Sequence, residues 1–216
     1  MTASILIVPG SRMRKSEQCS ISASPLLKRD PNSEIIALGK DLCSLKEMAM
    51  RSLYAGPPLK ELHEEYAKKG KIDENAPVKS VEAITIDAPV ATVWRLLGDL
   101  RNWTRWRSDA HVTRLGPIEP DAPFRWKIRG ASIRSTFAVV AAEREIAWTG
   151  VAMGWIKAVD RCRLASTGDG RTTVTMEESM SGPLLTFFYT SGKLRKGHQD
   201  ALRMLKTAAE CLAPSS

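Results

Sequence analysis

Two periodicities divide the chain. Over residues 35–53, Ile35, Leu38, Leu42, Leu45, Met48, Ala49 and Leu53 recur at three- and four-residue steps, which describes an amphipathic helix ending before Gly56-Pro57-Pro58. A second short helix places Leu59, Leu62, His63 and Tyr66 on one face and stops near Gly70. This pair is expected to pack on the main domain or on a second copy of the chain, and residues 71–77 read as a linker. From Val78 onward the period changes to two. Strands are predicted over 80–87, 110–115, 124–129, 132–142, 146–152, 155–166 and 172–181. Two short helices interrupt them after the first strand. One carries Val90, Val93, Trp94 and Leu97 behind Pro89 and stops at Gly98; the other runs from Asp99 to about Trp103. After Gly182-Pro183 one long helix is predicted to about Leu212, with Leu194, His198, Ala201, Leu202, Leu205, Ala208 and Leu212 as its buried stripe. Strands followed by a terminal helix argue for an α+β domain in which one helix fills a curved antiparallel sheet.

The last two strands carry the candidate chemistry. Ile156, Ala158, Asp160, Cys162 and Leu164 share one face of the first arm; Val174, Met176, Glu178 and Met180 share one face of the second. Matching these faces across a five-residue connection, 167–171, sets Leu164 opposite Val174, Cys162 opposite Met176 and Asp160 opposite Glu178. Opposed residues have Cβ atoms about 4.5–5.5 Å apart, so two such carboxylates in an apolar pocket should share one proton. His198, between Leu194 and Leu202 on the helix stripe, points at the sheet and so towards this pair. Asp160, Glu178 and His198 are therefore the candidate acid–base residues, with His111 a weaker one. Glu177 faces the other way and is expected at the surface. Trp103, Trp106, Phe124, Trp126, Trp148 and Met176 are the candidate ligand-contacting residues, with Trp103 and Trp106 on one rim.

Composition narrows the classes. The chain has 216 residues, a formal charge of +8 and 43 % hydrophobic residues. The charge is diffuse. Residues 1–33 hold five Lys/Arg against two acids, 34–77 seven against eight, and 78–216 twenty against fourteen. Residues 1–33 mix Ser, Pro and basic residues without periodicity and read as disorder or a leader. No apolar run approaches the roughly 20 residues of a membrane span. Cys19, Cys43, Cys162 and Cys211 lack CxxC or Cys/His spacing, which argues against zinc or a disulfide framework and for reduced thiols in the cytoplasm. Cofactor and metal motifs are lacking: no GxGxxG, P-loop, GxSxG or HExxH occurs. Arg125, Lys127, Arg129 and Arg134, with Arg161 and Arg163, lie on the face opposite the aromatics. That is a solvated basic face and gives no support to nucleic-acid binding.

DAPVATVWRLLGDLRNWTRW, IAWTGVAMG and GRTTVTMEESMSGPL resemble signature stretches of the START-like (SRPBCC) superfamily, in particular its polyketide cyclase/dehydrase-like branch. The resemblance covers about 81–210. It implies the helix-grip fold: a curved seven-stranded antiparallel sheet wrapped around a long C-terminal helix, enclosing a cavity, here preceded by an N-terminal helical extension. Family-typical sequences often carry a histidine where this chain has Asp160 and an aliphatic residue where it has His198. The expected partner is a hydrophobic small molecule (aromatic, polyketide-like or lipid-like). The alternative is a cofactor-free cyclase, dehydratase or isomerase working through Asp160, Glu178 and His198. A homodimer through the N-terminal helices is the expected protein contact. Expected boundaries are 1–33, 34–77 and 78–213.

Overall fold

The computed structural model describes residues 52–213 together with Lys46 and Met50. The expected leader, most of the helix over 35–53 and the homodimer contact assigned to it lie outside these residues. Seven strands form one antiparallel sheet: β1 (Val78–Ile86), β2 (Ala110–Leu115), β3 (Pro123–Ile128), β4 (Ala131–Ala141), β5 (Glu145–Ala152), β6 (Ile156–Ser166) and β7 (Thr172–Ser181). The order is β1-β7-β6-β5-β4-β3-β2, so only β1 departs from a simple meander, pairing with β7. A helix, α1 (Val90–Leu97), and a helical turn at Leu100–Arg105 follow β1. Asp99 caps that turn by accepting from the Arg101 N–H. The long C-terminal helix α2 (Ser191–Leu212) lies against the inner face of the sheet. This is the α+β, helix-grip arrangement.

The inner face and α2 enclose the main core. Leu194, Ala201, Leu202, Leu205 and Ala209 of α2 are buried, four of them from the predicted stripe. Val93, Leu96 and Leu97 of α1 and Trp103, Phe124, Phe137 and Ile146 close it at the β2–β5 side. Each fully buried Leu or Ile contributes about 1.5–3 kcal/mol. The helix starts later than its periodicity suggests. Leu184 takes a left-handed conformation (φ 63°), a helical turn covers Leu185–Phe187, and α2 begins only where Thr190 accepts the Lys193 N–H.

The outer face is also covered. Residues 59–69 form a helical segment whose Leu62 and Ala67, with Ile72, pack on Ala138 and Val159. Gly70 ends it at φ 65°, and a Cβ there would meet the Arg161 guanidinium at 2.9 Å. The stretch 71–77 is no free linker: Ile72, Asp73 and Ala76 are buried, and the Asp73 N–H donates to Ser179 Oγ. Two expectations about the outer face change accordingly. Glu177 is not a plain surface residue, because it is 11 % exposed and paired with Arg161 and Arg163. Arg161 is likewise enclosed, bonded to Glu145 at 2.7 Å and to Glu177 at 3.2 Å. Alternation sets which way these side chains point; the segment packed over them decides what they meet.

Candidate functional site

The β6–β7 register places Leu164 opposite Val174, Cys162 opposite Met176 and Asp160 opposite Glu178. Pairing extends on both sides, with Trp148 of β5 opposite Asp160 and Ser80 of β1 opposite Glu178. The inner face thus carries one continuous cross-strand row, Trp148–Asp160–Glu178–Ser80. From above, His198 Nε2 of α2 lies 3.0 Å from Glu178 Oε2. The row borders a cavity of about 280 Å³ between sheet and helix. Its walls are mostly apolar, including Trp103, Trp126, Ile133, Met176, Met180 and Phe188.

Burial decides the charge state. Taking the Asp160 carboxyl out of water, with the Glu178 charge beside it, raises its pKa well above the usual carboxylate range. Burial pushes Glu178 up to about 7, against a hydrogen bond from Asp160 and the Arg107 charge, which both pull it down. Burial lowers the pKa of His198, against the Asp160 charge. These directions favour a protonated Asp160 donating to Glu178 and a neutral His198, whose Nε2 lies against the Glu178 carboxyl. Trp148 Nε1, His198 Nδ1 and Ser80 Oγ are the buried side-chain polar atoms without a hydrogen-bond partner among the described residues.

The expected ligand-contacting residues divide. Trp103, Trp126, Trp148 and Met176 border the cavity. Phe124 and Trp106 do not. Phe124 stacks on Phe137 with ring centroids 4.3 Å apart, inside the packed β2–β5 side of the core. Trp106 is buried, its indole N–H donating to Leu96 O at 2.9 Å, and it stands on no rim. His111 is exposed on β2 and far from the row in register. His63 is a packed residue of the outer face, bonded to Thr149 Oγ1 and Asp121 Oδ1.

A family model described as polyketide cyclase/dehydrase and lipid transport matches residues 77–210. The chain belongs to this family. Solved structures agree on the fold. A hypothetical protein, jhp0584, from Helicobacter pylori aligns with a TM-score of 0.55 at 14 % identity, over 63 % of this chain and 90 % of that one. Protein CV1439 from Chromobacterium violaceum aligns with a TM-score of 0.53 at 14 % identity, over 64 % and 100 %. DynU16, a putative protein in the dynemicin biosynthetic locus, aligns with a TM-score of 0.52 at 21 % identity, over 63 % of this chain and 48 % of its own. No curated protein sequence matches.

Within this polyketide cyclase-family fold, three polar cavity residues escape the pattern of the sequence. Arg107, in the loop before β2, is 11 % exposed and bonds Asp109 at 3.1 Å. Its guanidinium lies 5.3 Å from the Trp103 ring and 5.7 Å from the Trp126 ring. Arg129 was expected on the outer face. It borders the cavity instead, because a left-handed φ of 47° after β3 breaks the alternation. Tyr189 reaches the cavity from the β7–α2 connection. The signal available for Arg107 was its place among aromatics in TRWRSDA.

Proposed function

We propose that the chain binds one predominantly apolar, ring-containing small molecule in the cavity between the sheet and α2. The observation that carries this reading is the composition of the cavity wall. Three indoles and several aliphatic side chains surround it, and Asp160, Glu178 and His198 form one polar cluster among them. Apolar walls supply affinity, and a few placed polar groups orient the ligand. The volume of about 280 Å³ lies near the lower end of small-molecule sites, about nine water volumes, which favours a compact ligand over a long acyl chain.

The test is a titration with naphthalene-type probes, read by quenching of wall tryptophans, on wild type and Ala158→Trp. Ala158 borders the cavity, so a tryptophan there should fill it. Saturable one-to-one binding that is lost in the variant is expected; binding that survives the filled cavity would overturn the reading.

A second reading, a cofactor-free lyase or isomerase, is favoured by the proton shared between Asp160 and Glu178 beside a neutral imidazole. A carboxyl that holds a proton near neutral pH and an imidazole that can accept one are a general acid and a general base in the same cavity. Unchanged turnover of an identified substrate in Asp160→Asn, Glu178→Gln and His198→Ala would exclude it.

A further inference from the structure

Four tryptophans of the main core differ in one respect. Trp103 donates its indole N–H to Leu97 O at 3.0 Å, Trp106 to Leu96 O at 2.9 Å and Trp126 to Ser135 Oγ at 3.0 Å. Trp148 Nε1 has no partner among the described residues, although it is equally buried. The histidines show the same contrast. Buried His63 has both ring nitrogens bonded, whereas His198 has Nε2 bonded and Nδ1 unpartnered. Both unpartnered residues border the cavity beside Asp160: Trp148 stands opposite it on β5, and His198, from α2, sits over its β7 neighbour Glu178. Buried polar atoms in native proteins are overwhelmingly hydrogen-bonded, so of the three exceptions among the described residues the two that border this cavity, one from the sheet and one from the helix, point to a ligand.

The chemistry of the two atoms is complementary. An indole N–H only donates. His198 Nε2 faces the Glu178 carboxyl at 3.0 Å, and the neutral tautomer that donates to its ionised form leaves Nδ1 an acceptor. We propose that Trp148 Nε1–H and His198 Nδ1 are the specificity pair of this cavity, selecting an oxygenated ring compound of hydroxy-carbonyl type. The carbonyl oxygen accepts from Trp148 and the hydroxyl donates to His198. This rests on the ligand-binding reading above and narrows it, since a hydrocarbon would leave both atoms unpaired and a fatty-acid carboxylate, which only accepts, would leave His198 Nδ1 without a donor.

The test compares a hydroxytetralone, naphthalene and octanoate by calorimetry on the full chain, in wild type, Trp148→Phe and His198→Phe. The hydroxytetralone should bind at least about tenfold tighter than naphthalene to the wild type. Each variant should cut that ratio by about tenfold, the weight of one well-made hydrogen bond to a buried partner. In wild type labelled at the indole nitrogens, the Trp148 N–H resonance should move downfield with hydroxytetralone and not with naphthalene, a readout that needs no variant. If both ring compounds bind equally and the Trp148 resonance stays in place, the specificity pair is wrong while the binding reading stands. If octanoate binds tightest, the oxygenated-ring assignment is wrong. If no probe binds, both fail.

Discussion

Replacing Asp160 by asparagine should stabilise the protein at mildly alkaline pH while changing little in mild acid. The Asp160 carboxyl faces Glu178 across the β6–β7 pair inside the cavity wall, and its pKa is raised first by burial and then by that neighbour. A raised carboxyl pKa means that the folded state holds a proton the unfolded chain has released, so stability falls as pH rises above the unfolded value of 3.8. The loss runs at up to about 1.4 kcal/mol per pH unit between about pH 5 and about pH 8 for as long as the folded carboxyl keeps its proton. Coulomb repulsion in the doubly ionised pair sets the scale. Two charges about 5 Å apart at an effective dielectric of about 20 repel by about 3 kcal/mol. The substituted amide in Asp160→Asn has no proton to lose, and its N–H can still donate to Glu178. The variant should therefore gain about 3 kcal/mol over wild type between the two pH values, roughly 6–12 °C in Tm for a domain of this size. Urea and thermal unfolding across the range measure it. Wild-type and variant curves that run parallel with pH would refute the shared-proton argument.

Three further perturbations probe other contacts. His198 has a lowered pKa, so its folded form resists a proton that the unfolded chain accepts below about 6.5, and stability is lost as pH falls through that value. His198→Asn should flatten this acid limb by up to about 1.4 kcal/mol per pH unit in unfolding titrations; an unchanged limb would contradict a neutral imidazole. Arg161→Met should cost about 2–3 kcal/mol by denaturant unfolding, because it strips the cation from Glu145, 18 % exposed, and leaves Glu177, 11 % exposed, with Arg163 alone. Leu62→Ala should cost about 2–5 kcal/mol and increase amide exchange across residues 59–77; no change would mean that this segment does not contribute to the outer-face core.

The β6–β7 register was legible because a side-chain period of two and a connection of known length leave a single pairing with both apolar faces inward. The same parity could not separate packed core from cavity wall. Phe124 and Trp126 alternate identically on β3, yet one stacks on Phe137 and the other borders the open space, because α1 and the Leu100–Arg105 turn fill only the β2–β5 side. Nor could it show that residues 59–69 cover the outer face, which turns Arg161 and Glu177 from surface charges into an enclosed network. Arg129 was misplaced for a different reason: one left-handed residue at a strand end reverses the direction that alternation assigns. Arg107 lies in a loop with no parity, and its position follows from long-range contacts with Trp103 and Trp126. These omissions share a physical cause. Periodicity reports what is local to one element, whereas the charge state of Asp160 depends on three others: Glu178 of β7, His198 of α2 and Arg107 of the loop before β2. The row could therefore be anticipated as a pair of opposed carboxylates. Its protonation, and the pairing of the Trp148 and His198 nitrogens proposed to meet a ligand, depend on the helix and loop that the fold brings onto the sheet.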